Sequence, residues 1–260
     1  GRRAEFNAQD ISNIVWAFAT VKKPHTTLFA AMGGQVVVLK HLGQFKPQDF
    51  SNTVWAYATA CINHPKLFDK VANHIAGLDS LDRFTHPQDV SITVWAYATA
   101  GIHHPKLFEK MANHIAGLDN LDRFIPQDVS ITVWAYATAG INHPKLFDKI
   151  ANHIVGLDNL DRFIPQELSN IVWAYATAGI HHPKLFEKMA NHIAGPKTLD
   201  RFIPQELSNT LWGYATAGIH HPTLFEKIAN HIVESDSLHK FEPQELKDTV
   251  WAYATAQVSH

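Results

Sequence analysis

The sequence predicts an all-α protein, a right-handed superhelical solenoid of two-helix repeats about 39 residues long. Three observations predict it. All seven tryptophans (Trp16, Trp55, Trp95, Trp134, Trp173, Trp212 and Trp251) lie in copies of one phrase, at separations of 39, 40, 39, 39, 39 and 39 residues. Within each copy apolar residues recur at helical spacing, and no segment sustains the alternation of a strand. Proline opens the apolar runs and glycine closes most of them, the asymmetry expected of helix starts and stops. The one separation of 40 reflects an inserted residue in the Thr85-His86 stretch.

The repeat from Pro126 to Ile164 shows how one unit is built. Pro126 suits the first helical position, and Asp128 complements the positive end of the helix dipole. The helix runs through Val129, Val133, Trp134 and Tyr136 to Ala139, where Gly140 supplies a C-terminal cap. The turn Ile141-Asn142-His143 leads to Pro144, which opens a second helix carrying Leu146, Phe147, Ile150, Ala151 and Ile154 at helical spacing. Gly156 ends it, and a linker, Leu157 to Phe163, reaches the next Pro-Gln. Residues 1–260 thus read as one array of six hairpins plus a seventh first helix. The first unit diverges most: Thr26 stands where others have Pro65 or Pro105, and Gly33-Gly34 should weaken its second helix. The chain starts at Gly1 and stops partway through a repeat, so both ends read as cuts in a longer protein, with any targeting segment outside it.

Composition narrows the function. The net charge is -2, which gives no general basic field for gripping nucleic acid, although 18 histidines would turn the chain cationic if partly protonated near pH 6. Cys61 is the only cysteine, so no internal disulfide framework exists, as suits a reducing or organellar compartment. No apolar run is long enough to span a bilayer, and no membrane partner is expected.

A helical wheel for the first helix of the third repeat puts Val90, Val94, Trp95, Tyr97, Ala98 and Ile102 on a buried arc. Asp89, Ile92, Thr93, Ala96, Thr99 and Ala100 fall opposite, as a surface lined by small side chains. One column on that arc varies while its surroundings repeat: Asn13, Asn52, Ile92, Ile131, Asn170, Asn209 and Asp248. Amide, carboxylate and apolar side chains present different patterns to a base edge, so a reader using one residue per base would vary in this way. Drift at a tolerant surface position explains the same variation.

Other repeated residues have competing readings. His25, His64, His104, His143, His182 and His221 precede the second helices, and His74, His114, His153, His192 and His231 lie within them. A histidine ladder could bind zinc across repeats, but capping, packing on aromatic rings or turn hydrogen bonds explain the columns equally well, and recurrence in every unit points to folding roles, with no metal or cofactor expected. Arg83, Arg123, Arg162 and Arg201 in the Asp-Arg-Phe linkers would grip RNA phosphates or pair with the adjacent aspartates, the phenylalanine being a core anchor. Lys66, Lys106, Lys145 and Lys184 open the second helices, as phosphate contacts or as a solvated face. The acidic column Asp10, Asp49, Asp89, Asp128, Glu167, Glu206 and Glu245 would repel phosphates if it shared the reading surface. No phosphate-cradling glycine loop, metalloprotease His-Glu-x-x-His or nucleophile elbow occurs, so no enzyme is expected.

The phrase Pro-Gln-(Asp/Glu)-(Leu/Val)-Ser-Asn-x-x-Trp-Ala-(Tyr/Phe)-Ala-Thr-Ala resembles the octotricopeptide repeat and the helical repeats of organellar proteins that carry a RAP domain. It is also similar to repeat proteins of mitochondrial RNA-editing complexes. The resemblance covers essentially the whole chain, although it contains no RAP-like domain. It implies a non-enzymatic scaffold that binds single-stranded RNA, not DNA, in a mitochondrion or chloroplast, alongside other RNA-processing proteins, in maturation, stability, editing or translation. It also places specificity on the first helix of each repeat. The alternative is a protein-interaction scaffold that uses the same surface.

Overall fold

A computed structural model describes residues 6–195, 197–234 and 238–256. The chain forms two compact units, Gly1–Phe124 and Ile125–His260. The first holds α1 (Ala8–Thr20), α2 (Thr26–Val38), α3 (Pro47–Thr59), α4 (Pro65–Ala76), α5 (Pro87–Thr99) and α6 (Pro105–Ala116). The second holds α7 (Pro126–Thr138), α8 (Pro144–Gly156), α9 (Pro165–Thr177), α10 (Pro183–Ile193), α11 (Pro204–Thr216), α12 (Pro222–Glu234) and α13 (Pro243–Thr255). Odd-numbered helices are the first helices of the repeats, even-numbered ones the second. Short 3-10 turns at Leu199–Arg201 and Leu238–Lys240 precede α11 and α13. No strand occurs among the described residues. The fold is the all-α solenoid class of stacked helical hairpins.

Stacking in each unit is dominated by first helix on first helix: α1 on α3 and α3 on α5, then α7 on α9, α9 on α11 and α11 on α13. Second helices meet their counterparts more sparsely. The close approach depends on small side chains. Ala56, Ala96, Ala135 and Ala174 are fully buried. At the matching position of α11 a Cβ on Gly213 would lie 2.6 Å from Val172 Cγ1 and 3.2 Å from the Val172 carbonyl, so only glycine fits without movement.

Within each unit a tyrosine pins one repeat to the next. Tyr97 Oη donates to the Phe68 carbonyl at 2.7 Å, Tyr175 to Phe147 at 2.7 Å, Tyr214 to Phe186 at 2.6 Å and Tyr253 to Phe225 at 2.8 Å. The same rings meet edge to face, with centroids 5.0–5.3 Å apart. A buried hydroxyl thereby finds an acceptor in the preceding hairpin rather than going unpaired.

The turns are built the same way each time. Gly101, Gly140, Gly179 and Gly218 take φ of 64–65°, and each first helix closes with bonds such as Ile102 N–H to the Tyr97 carbonyl and Gly101 N–H to that of Ala98. This is the Schellman cap. Lys22 and Cys61 occupy the same position with φ of 52° and 53°, where a side chain is strained. The histidine before each second helix is its N-cap: Nδ1 of His25, His64, His104, His143, His182 and His221 accepts the backbone N–H three residues on, at 3.1–3.3 Å. Nδ1 is therefore unprotonated and the ring proton sits on Nε2.

Two helices differ from their counterparts in the other repeats. α2 runs unbroken through Gly33-Gly34, and a Cβ at Gly33 would lie 2.7 Å from the His64 ring and 2.8 Å from Tyr57 Oη. Helix propensity is given up there so that the next repeat can approach. On α13, Leu246 and Val250 are 36% and 67% exposed, whereas their counterparts Leu207 and Leu211 on α11 are buried.

Cys61→Gly is expected to raise the melting temperature, because relief of left-handed strain outweighs the added chain entropy by about 0.5–1 kcal/mol. A lowered melting temperature would show the Cys61 position to be unstrained. Tyr175→Phe should cost about 1 kcal/mol in denaturant unfolding, the net worth of the bond to Phe147. An unchanged midpoint would remove that bond from the account.

Candidate nucleic-acid interface

Only one stripe of each of α3, α5, α7, α9 and α11 is open to solvent along the helix. On α3 it is Gln48, Asn52, Trp55 and Thr59, spaced i, i+4, i+7 and i+11 along a single face. α5 shows Gln88, Ile92, Trp95 and Thr99 in the same register, and α7, α9 and α11 repeat it. Side by side within each unit, these stripes make four rows: glutamine, the variable residue, tryptophan and threonine. Asn13 is exposed, and Asn52, Ile92, Ile131, Asn170, Asn209 and Asp248 are half-buried. The variable column therefore lies on the accessible face. Asp248 also accepts two bonds from Gln244 Nε2, at 2.8 and 2.9 Å.

Of the rest of the expected surface, Thr99 and Ala100 are exposed as expected, and the remainder is corrected. Thr93 and Ala96 are fully buried and Asp89 nearly so, whereas Trp95, expected inside, is half-buried. The wheel assumed a helix touching neighbours on one side. Here a first helix is flanked by two others and backed by the second-helix layer, so the open arc is narrower and rotated toward tryptophan. The hydroxyls of Thr53, Thr93, Thr132 and Thr210 turn back onto carbonyls four residues earlier, at 2.6–2.7 Å.

Sequence reasoning missed the tryptophan row. Trp16 and Trp251 are 44% exposed. Ring centroids lie 6.5 Å apart for Trp16–Trp55, 6.4 Å for Trp173–Trp212 and 6.5 Å for Trp212–Trp251, with planes inclined by 36°, 29° and 33°. Among the described residues no ring contact joins Trp55 to Trp95 or Trp134 to Trp173. The usable signal was the i+3 relation between each tryptophan and the variable residue.

The acidic column does not face the stripe. Each carboxylate sits at the third position of its helix, and all but Asp89 accept the N-cap N–H: Asp49 from Lys46 at 2.8 Å, Asp128 from Ile125 at 3.2 Å, Glu167 from Ile164 and Glu206 from Ile203 at 2.9 Å. In the first unit it also ties repeats together, with Ser12 Oγ donating to Asp49 at 3.2 Å and Ser51 Oγ to Asp89 at 2.9 Å. Burial pushes Asp89, Glu167 and Glu206 above the usual carboxylate range, partly offset by these bonds. The expected repulsion of phosphates thus loses its main source.

The basic residues fall at the two ends of each hairpin. Arg83, Arg123, Arg162 and Arg201 are exposed in the linkers, and Lys66, Lys106, Lys145 and Lys184 are exposed beside the turns. The first-helix stripe runs between these ends. The anticipated linker ion pair does not form: no guanidinium among these four pairs with a carboxylate within 4 Å in the described residues. The linker aspartates instead approach histidines of the following second helix, Asp161 to His192 at 3.9 Å and Asp200 to His231 at 3.7 Å. Phe84, Phe124, Phe163 and Phe202 are buried anchors, as expected. The second lysine of each pair is structural: Lys70 caps α2 through the Leu39 carbonyl at 2.7 Å, Lys110 bonds the Leu78 carbonyl, and Lys188 bonds those of Val155 and Leu157. No cluster of three metal-ligating side chains occurs among the described residues.

The fold defines a helical-repeat protein. The chain belongs to the RESC6 family, RNA-editing substrate-binding complex 6 proteins, whose model matches residues 1–260. The match falls on the RNA-editing branch of the resemblance rather than on octotricopeptide or RAP-associated proteins. No curated protein matches the chain. No helix among the described residues is long and apolar enough to cross a membrane.

Burial also pushes His74, His114 and His192 below the ordinary histidine value of 6.5. Arg83, His41 and Lys70 reinforce this at His74, and Arg201 does so at His192, where Asp161 opposes it. At His114 the Phe84 backbone bond and Asp82 oppose it. The unfolded chain takes up these protons first, so their stabilising contribution is complete above pH 6.5 and is lost as pH falls toward the lowered values. The raised carboxylates act oppositely in a more acidic window. Calorimetry should therefore show the melting temperature falling from pH 7.5 to 6.0, and a rising profile would contradict neutral burial.

Proposed function

We propose that this protein is a non-enzymatic scaffold that binds single-stranded RNA along the first-helix stripes, as part of an RNA-editing assembly. One observation carries the reading. On the solvent-facing stripe three rows are constant in all seven repeats, and only the fourth varies, as Asn-Asn-Ile-Ile-Asn-Asn-Asp. Drift would not be confined to one row of an exposed face. Amides offer a donor and an acceptor to a base edge, the carboxylate only acceptors, and isoleucine only apolar contact. Unpaired linker arginines at one end of the stripes, with the turn lysines at the other, hold the phosphates and position the strand. The editing family favours the mitochondrion over the chloroplast as the compartment.

A second reading is a protein-docking surface. It is favoured by Ile125, Ile164 and Ile203, which stand 45%, 45% and 54% exposed at the starts of α7, α9 and α11.

Selection from a random single-stranded RNA pool tests the proposal. The expected product is a motif of about one base per repeat. Asn170→Ala with Asn209→Ala should then cost about 1–3 kcal/mol per matched position and relax preference at two adjacent nucleotides. Unaltered preference would reject this column as the reader, and absence of RNA binding at low salt would favour protein docking.

A further inference from the structure

We infer that the tryptophan row is a base-stacking platform in two segments, Trp16–Trp55 in the first unit and Trp173–Trp212–Trp251 in the second. This rests on the RNA reading above and deepens it by naming the groups that take up the bases.

The tryptophans are not spent on the core. On the same helices Tyr97, Tyr175 and Tyr214, two residues after each tryptophan, are fully buried and pin the repeats together. The indoles instead lie partly open on the face that reaches solvent.

Their spacing fits an unstacked strand. Centroids 6.4–6.5 Å apart, with planes inclined by 29–36°, put neighbouring indoles in offset contact that leaves part of each face open. The step is about twice the ~3.4 Å rise of a stacked strand. A strand following the row at one base per repeat must therefore open its own stacking, and each base then meets an indole in place of its former neighbour. Stacking of this kind tolerates any base, because every base has a π face.

The variable row completes the site. Asn170 and Asn209 lie three residues before Trp173 and Trp212, on the same helix face. A base laid on the indole brings its edge toward the amide. Sequence tolerance and sequence choice thus reside in adjacent rows.

All seven tryptophans belong to this row, so intrinsic fluorescence reports on it alone. The experiment titrates the intact protein with single-stranded oligoadenylate and oligouridylate while following indole emission and, separately, anisotropy of the labelled RNA. Inorganic polyphosphate is the control for phosphate contact without bases. Quenching that saturates along the anisotropy isotherm, with none from polyphosphate, is expected. RNA binding with unchanged emission overturns the platform and leaves the RNA reading standing. No RNA binding at low salt removes both.

Variants at Trp212 separate stacking from packing. Trp212→Leu should weaken RNA binding by about five- to a hundredfold, while Trp212→Phe keeps most of it. Both should retain the helical circular dichroism of the parent. Equal affinity of the leucine and phenylalanine proteins would assign Trp212 to packing alone and overturn the proposal.

Discussion

Everything accessible on this protein follows from how closely its first helices approach one another. Alanine or glycine at the contact lets neighbouring backbones come together, and Gly213 against Val172 shows the limit. That approach buries most of each first helix and leaves one narrow stripe open. It also fixes the separation of equivalent residues in adjacent repeats, and with it the indole spacing near 6.5 Å. A bulkier contact would widen the step and turn the rows out of line.

Close stacking creates a second demand, because helix ends and buried hydroxyls must be satisfied without water. The repeat meets it with its own side chains. A histidine caps the start of each second helix, and an acidic residue accepts the N-cap N–H of the first. A lysine covers the end of a preceding second helix, and a tyrosine reaches a carbonyl of the previous hairpin. From the second repeat on these polar residues recur, because each repeat has the same ends to satisfy, whereas the first has Phe18 and Ala31 in place of the tyrosine and lysine. The linker arginines stand outside this arrangement, which leaves their charge available to a ligand.

Repeat length, helix boundaries and cap positions were legible in the sequence because they rest on local chemistry. Pro126, Gly140 and Pro144 fall where turn geometry requires them. The accessible face was only partly legible. A wheel separates apolar from polar, but it does not say how many neighbours a helix has. Trp95 was placed inside because indole is apolar, and Thr93 outside because threonine is polar; two flanking helices reverse both. Asp89 looked like a surface charge until its serine partner on the neighbouring repeat came into view. Pairings across a joint lie 37 or 38 residues apart, beyond any local pattern.

The left-handed residue that closes each first helix has a consequence for how the first unit comes apart. Glycine fills the position in most repeats, but Lys22 and Cys61 fill it in the first two hairpins. The first hairpin also lacks the proline that stiffens the start of the other second helices, and it carries two adjacent glycines in α2. In a stack where each hairpin leans only on its neighbours, opening begins at the weakest member and spreads outward. The first hairpin is thus the weakest member of its unit. Its amide protons exchange first, and the Asn13–Trp16 portion of the surface is the part whose presence varies with temperature.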